Sequence, residues 1–341
     1  LSSSSAASDV YKRQKEDYPG FDAWFEKKSK DNSEAYVQYT NDNLQAFLYL
    51  KNESGEALTD ITPIRPACNR LKVGTFKIDA HNTKLGERFV KKILDTALDM
   101  KAEEIYVTIY PKHEGLIRIL QRYGFNEEGK KGEELVLVKN MKILTGDILK
   151  DFPLLTTKDK RKFLLSIYPK YHTKMFPDSI LRNEESKKYE LVKDVSYTNS
   201  IHKVYLCFMS DTAKLQRGDI IAIYRTKDDK GSARYRSVIT SICQIEDVKT
   251  NKDFATVEDF LAYTNFYSIF DSEELKQWYQ QKNCYILKMT YNIALTKRVT
   301  NGYLVDNLNM SPKYWGFFQL TDEQFDAILK KGEVDEGVII D

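Results

Sequence analysis

Residues 72–125 carry one ordered alternation of elements that few folds accommodate. A strand within LKVGTFKID runs into a polar, glycine-containing loop, HNTKLGE, and the loop opens an amphipathic helix. Leu85, Phe89, Ile93 and Ala97 recur every fourth residue, the spacing of one helix face, whereas Ile105, Val107 and Ile109 alternate as a half-buried strand does. A second helix follows, with Leu116, Ile119, Leu120 and Tyr123 on one side, and ends in YGF. A loop that leaves a strand and starts a helix presents free backbone N–H groups at the positive end of the helix dipole, an arrangement suited to pyrophosphate.

The flanks extend this unit. AYVQYTND and NLQAFLYLKNE, residues 35–53, predict a hairpin before the key strand, and EELVLVKNM, residues 133–141, predicts a closing strand after the second helix. The charged run EEGKKGEE, residues 127–134, reads as a solvated turn. Along residues 71–78 the apolar positions change phase, from Leu71 and Val73 to Phe76 and Ile78, which predicts a bulge near Gly74.

These residues resemble the GNAT superfamily of acyl-CoA N-acyltransferases. In that family a strand enters a loop of the form [QR]-x-x-G-x-[GA], and a later helix ends in a glycine-phenylalanine pair. The loop here is His81, Asn82, Thr83, Lys84, Leu85, Gly86, and the pair is Gly124 and Phe125. His81 stands in place of Gln or Arg, and Lys84 in place of the first glycine. The resemblance implies acetyl-CoA as cofactor, held by Phe76, Ile78, His81, Asn82, Thr83, Lys84, Leu85, Gly86 and Glu87, and an amine as acceptor. It also implies that a bulge parts two parallel strands to admit the acyl-pantetheine. The tyrosine that protonates the leaving thiolate in the family falls here on Leu120, which has no proton to give. Tyr123 and Tyr110 are the substitutes within reach.

At 341 residues the chain predicts two domains. The first fourteen residues, LSSSSAASDVYKRQ, resemble translated adapter sequence and are expected to be foreign. The following segment resembles the second helix of a GNAT domain, so the first strand and helix of that fold are expected to be missing from a fragment of a longer protein. The expected divisions are an adapter-like 1–14, a truncated GNAT-like domain at 15–141, a helical and irregular linker at 142–200, and a second domain at 201–341. A formal net charge of +2 argues against a bulk polyanion binder and permits a local basic patch. No apolar run approaches the ~18 residues of a membrane helix. Four scattered cysteines and four scattered histidines predict a reduced, cytoplasmic setting and no metal site.

The segment 142–200 contains short apolar groups broken by Pro153, Pro169 and Pro177. From His202 the pattern turns to strands: HKVYLCFM, IIAIYRT, the long ARYRSVITSICQIEDVK, and CYILKMTYNIALTKRV, with helices at VEDFLAYTNFY, SEELKQWYQQK and TDEQFDAILKKG. Strands around a G-D turn, interrupted by helices, resemble PUA-like barrels of the ASCH and related kinds, many of which bind RNA or modified bases. The fold class expected for the whole chain is therefore α/β (α+β): a GNAT-like mixed sheet with flanking helices, then a β-rich PUA-like pseudo-barrel with helical insertions.

Interleaved aromatic and basic residues in this half are what RNA contact needs. The candidates are Arg225, Tyr235, Arg236, Lys297, Arg298 and Trp315; alternation in a strand would put Arg234 and Arg236 on one face and Tyr235 on the other. Core packing is the competing reading of each aromatic. His202, with no acid partner evident in the sequence, is either a pocket donor or a structural histidine. Two functions follow: an acyl-CoA-dependent N-acetyltransferase acting on an amine, with RNA or ribonucleoprotein recruited by the second domain, or a non-catalytic nucleic-acid-binding protein on a degenerate acetyltransferase scaffold.

Overall fold

The computed structural model describes residues 35–40, 43–78, 85–179 and 200–341. Contacts divide the chain into two units, Leu1–Lys142 and Ile143–Asp341.

The first unit is one six-stranded sheet: β1 (Tyr36–Thr40), β2 (Asn43–Asn52), β3 (Arg70–Ile78), β4 (Glu104–Ile109), β5 (Asn126–Lys131) and β6 (Glu134–Asn140), in the order β1-β2-β3-β4-β6-β5. Every pairing is antiparallel except β3 with β4, which the crossover helix α1 (Leu85–Asp99) makes parallel. The expected hairpin is β1–β2, and the expected closing strand is β6. A correction concerns residues 127–134: NEEGKK is a strand, paired with β6 about a turn at Gly132 (φ 58°). Its side chains face solvent, so it carries no apolar alternation to betray it. Leu71, Val73, Ile105 and Val107 are buried with Val90, Ile93, Leu94 and Ala97 of α1, joining the period of two to the period of 3.6 in one core. A second helix, α2 (Glu114–Arg122), buries Leu120.

The second unit is also a six-stranded mixed sheet: β7 (Lys162–Ile167), β8 (His202–Cys207), β9 (Ile220–Arg225), β10 (Val238–Thr250), β11 (Tyr285–Thr300) and β12 (Phe317–Leu320), in the order β12-β7-β9-β10-β11-β8. The expected linker is corrected here. Its residues 162–167 form β7, parallel to β9, and α3 (Pro169–Met175) follows at once. FLLSI is buried at every position, a continuous apolar run that shows no alternation. Tyr205, Cys207, Leu287 and Met289 face one core with Phe176, Ile223 and Cys243. Val204, Leu206 and Ile286 face the other, under α4 (Val257–Thr264) and α5 (Ser272–Tyr279), through Phe260 and Leu275. Helices α6 (Asn301–Leu308) and α7 (Asp322–Lys331) complete the unit.

A second correction falls on ARYRSV. Ala233–Arg236 is one turn of helix under a Ser232 cap, and β10 begins only at Val238, so no strand alternation separates Arg234 from Tyr235. Short hydroxyl-capped turns compete with strands at such positions. Register is interrupted at three places between β10 and β11. Among the described residues, no helix is long and apolar enough to cross a membrane.

Candidate functional site

In the first unit the informative place is the fork between β3 and β4. Their parallel register runs from Arg70↔Glu104 to Val73↔Val107 and ends there, while β3 continues to Ile78 and β4 continues alongside β6 to Ile109. On its other edge β3 pairs Val73 with Leu50 and Thr75 with Tyr49, so Gly74 is the extra residue of a bulge. The bulge thus sits where the two parallel strands part. Glycine is required by space: a Cβ on Gly74 would lie 2.8 Å from Tyr49 Cδ1. Past the bulge Phe76 turns to the α1 face and stacks on Phe89 at 6.1 Å, the phase change seen in the sequence.

Of the expected cofactor residues, His81, Asn82, Thr83 and Lys84 lie outside the described residues. Leu85, Gly86 and Glu87 form the first turn of α1, and Phe76 and Ile78 lie on β3 beyond the fork. Glu87 is buried, and its carboxylate accepts a hydrogen bond from the Tyr123 hydroxyl at 2.7 Å and lies 3.6 Å from Arg122. Tyr123 is fully buried at the end of α2, so its hydroxyl serves to join two helices. Leu120 is fully buried, and Tyr110 follows β4, with Lys112 over its ring at 5.7 Å.

On the opposite face of the sheet lies a charged network absent from the sequence reading. Tyr106 donates its hydroxyl to Glu53, which also holds Lys51 at 2.7 Å and Lys72 at 3.6 Å. Burial raises the Glu53 carboxyl's pKa, but the hydrogen bonds from Lys51 and Tyr106 outweigh it and hold the pKa below the usual carboxylate range. No motif joins residues 51, 53, 72 and 106; only strand register does.

In the second unit the six nucleic-acid candidates separate. Tyr235 is 73% exposed, whereas Arg236 beside it is ion-paired with Asp228, and Lys297 with Glu333. Trp315 is half-buried and stacked on Tyr224 at 5.5 Å. Arg225 is buried and Arg298 half-buried. Both guanidiniums act on His172, a residue the sequence did not single out. Burial, then Arg225 and Arg298, press its pKa down to about 3.

His202 does have an acid partner. Its Nδ1 meets Glu246, whose other carboxylate oxygen lies 3.3 Å from Lys288 Nζ, and Tyr267 flanks the imidazole at 5.0 Å. His202 and Glu246 are both buried. Burial works to raise the Glu246 pKa, and its hydrogen bond with His202 more than offsets that. Glu246 occupies a bulge between Ile245 and Asp247, which only the β10–β11 register reveals. Among the described residues, no group of three or more His, Cys, Asp or Glu side chains is placed to hold a metal.

No family model matches the chain, and no curated protein matches its sequence. Solved structures do. The ASCH protein of Zymomonas mobilis is 8% identical, with 50% of this chain and 96% of that one covered and a TM-score of 0.33. Human THYN1, solved in complex with 5-methylcytosine-containing DNA, is 12% identical over 52% and 99% of the two chains, with a TM-score of 0.26. The PaiA N-acetyltransferase of Thermoplasma acidophilum, in complex with coenzyme A, is 12% identical over 33% of this chain and 65% of that one, with a TM-score of 0.25. The chain is similar, in separate parts, to N-acetyltransferases and to ASCH and PUA-like proteins.

Proposed function

We propose that the first unit is an acyl-CoA-dependent N-acetyltransferase, using acetyl-CoA and an amine acceptor. The observation that carries this reading is the fork: parallel strands that separate immediately after a Gly74 bulge leave backbone amides of β3 facing a cleft instead of a neighbouring strand. A thioester oxygen in that cleft is stabilised by such N–H groups, and an amine held against it gains the advantage of proximity. The pantetheine arm lies between the strand ends, and the pyrophosphate sits over the first turn of α1, at Leu85 and Gly86. With its carboxylate turned to Tyr123, Glu87 leaves that turn's amides to the cofactor. Proton transfer to the thiolate is assigned to Tyr110, since Leu120 and Tyr123 are buried.

The second unit is read as the substrate-recruiting part, contacting RNA through Tyr235 and Trp315 as stacking rings and Arg225, Arg236, Lys297 and Arg298 as phosphate contacts. A non-catalytic scaffold is the alternative, and the burial of Leu120 and Tyr123 is what favours it. Calorimetry of the chain with acetyl-CoA, followed by a thiol-release assay on amines and RNA, separates the two. Micromolar binding with turnover supports the enzyme, binding without turnover supports the scaffold, and no binding at millimolar cofactor rejects both uses of the fork.

A further inference from the structure

The second unit contains a buried polar cluster that nucleic-acid stacking does not use. Thr240 lies where β10 loses register with both neighbours at once, between Ile239 and Ser241. On the β11 side four residues, Leu295–Arg298, fall between the partners Ala294 and Val299, and the Arg298 guanidinium donates back to the Leu295 carbonyl. Arg225 ends β9 opposite Val238, which faces Thr300 of β11. Arg225, Thr240 and Arg298 are therefore brought within two residues of one rung, from three adjacent strands.

His172 of α3 reaches this rung and meets Thr240 Oγ1 at 2.7 Å through Nε2. Behind it runs a chain of hydroxyls: Thr240 to Ser241 at 3.1 Å, Ser241 to Ser179 at 2.8 Å, Ser179 to Tyr291 at 2.8 Å. Each hydroxyl has a single proton. The order that uses each once runs Tyr291 to Ser179, Ser179 to Ser241, Ser241 to Thr240, and Thr240 to His172 Nε2. That order makes Nε2 an acceptor and leaves the proton on Nδ1. His172 Nδ1 is buried with no hydrogen-bond partner, in a side chain with 0% exposure. The hydroxyl of Thr226, next to Arg225, is likewise buried and unpartnered.

Buried polar groups are ordinarily satisfied, and a buried cation is ordinarily matched by an anion. Asp228 acts on Arg225 but is held by Arg236, and no carboxylate among the described residues pairs with Arg298. We propose that Arg225, Arg298 and the Nδ1–H of His172 form a binding site for one phosphate group, for which guanidinium forks and a fixed imidazole donor are suited. Arg298, only half-buried, leads from the site to solvent. The site deepens the reading of the second unit as a nucleic-acid module, and rests on that reading only for the phosphate's source.

The test uses the full chain. Thermal unfolding is followed against inorganic phosphate, with sodium chloride at matched ionic strength as reference, and the His172 ring ¹⁵N resonances are recorded in the same titration. Phosphate is expected to raise Tm and to shift Nδ1, and Arg298→Gln to weaken the apparent affinity roughly tenfold or more. Arg298→Lys, which keeps the charge without the fork, is expected to fall between. Tighter binding of a 5′-phosphorylated than a 5′-hydroxyl tetranucleotide assigns the phosphate to a chain end; preference for inorganic phosphate or a mononucleotide assigns it to a free small molecule. No effect of phosphate beyond that of chloride, or an undiminished effect in Arg298→Gln, overturns the proposal. Acetyl-CoA stabilisation is measured in parallel and should be the same in wild type and Arg298→Gln, so loss of the transferase reading would be visible separately.

Discussion

The Tyr123 hydroxyl donates to Glu87 at 2.7 Å, binding the end of α2 to the first turn of α1, and both residues are buried. One bond therefore sets the position of the helix start on which the cofactor phosphates are proposed to rest. Tyr123→Phe should lower stability by about 1–2 kcal/mol, because a buried carboxylate loses a donor. Acetyl-CoA affinity should weaken while the pH profile of turnover keeps its shape. Denaturant unfolding and initial rates across pH check this; a lost alkaline limb would instead make Tyr123 the proton donor.

Gly74 is the second lever on the fork. A side chain there meets Tyr49, so Gly74→Val must push the ring or close the bulge. The expected result is a loss of acetyl-CoA binding of at least roughly tenfold, with a destabilisation of ~1–3 kcal/mol from overpacking. Calorimetry on the folded variant decides it. Unchanged affinity would mean that the bulge does not shape the cofactor cleft.

His172 gives a pH dependence with a definite sign. Its folded pKa, about 3, lies below the ordinary histidine value near 6.5, so the unfolded chain binds the extra proton between those limits. Its contribution is complete above pH 6.5 and falls away as pH drops. From pH 7 to pH 5 the loss should be ~2 kcal/mol. Urea unfolding at both values, compared with His172→Phe, isolates the contribution, since the variant should lose that part of the slope.

The His202–Glu246–Lys288 group should behave as a buried ion cluster. Glu246→Ala leaves a buried histidine and lysine without their acceptor, and should cost ~3–5 kcal/mol. Glu246→Gln, which keeps one acceptor oxygen, should cost less. Equal effects of the two variants, read by chemical denaturation, would show that volume and not charge matters there.

Tyr235, at 73% exposed, separates binding from packing. Tyr235→Ala should leave Tm unchanged and weaken single-stranded RNA binding by ~1–3 kcal/mol if the ring stacks on a base. Trp315→Ala should lower Tm as well, because that ring packs on Tyr224 and Phe318. Fluorescence anisotropy across a salt series measures both, and RNA binding indifferent to Tyr235 would remove it from the interface.

The amino-acid sequence alone determined the features written in local periodicity. The spacing of Leu85, Phe89, Ile93 and Ala97 made α1, and the phase change at Gly74 marked a bulge, because side-chain direction in a strand reverses when one residue is added. Strands without contrast between their faces escaped: β5, solvated along its length, and β7, buried along its length, show no alternation. The aromatic and basic residues of the second unit were legible as types but not as a surface. Whether Arg236 meets Asp228, or Arg298 a carbonyl, depends on partners that register brings near. The same holds for His202 with Glu246, 44 residues apart, and for His172 with Thr240, 68 apart. Pairing at such distances, and the desolvation that sets the charge of the paired groups, exist only once the strands are side by side; tertiary structure alone decided them.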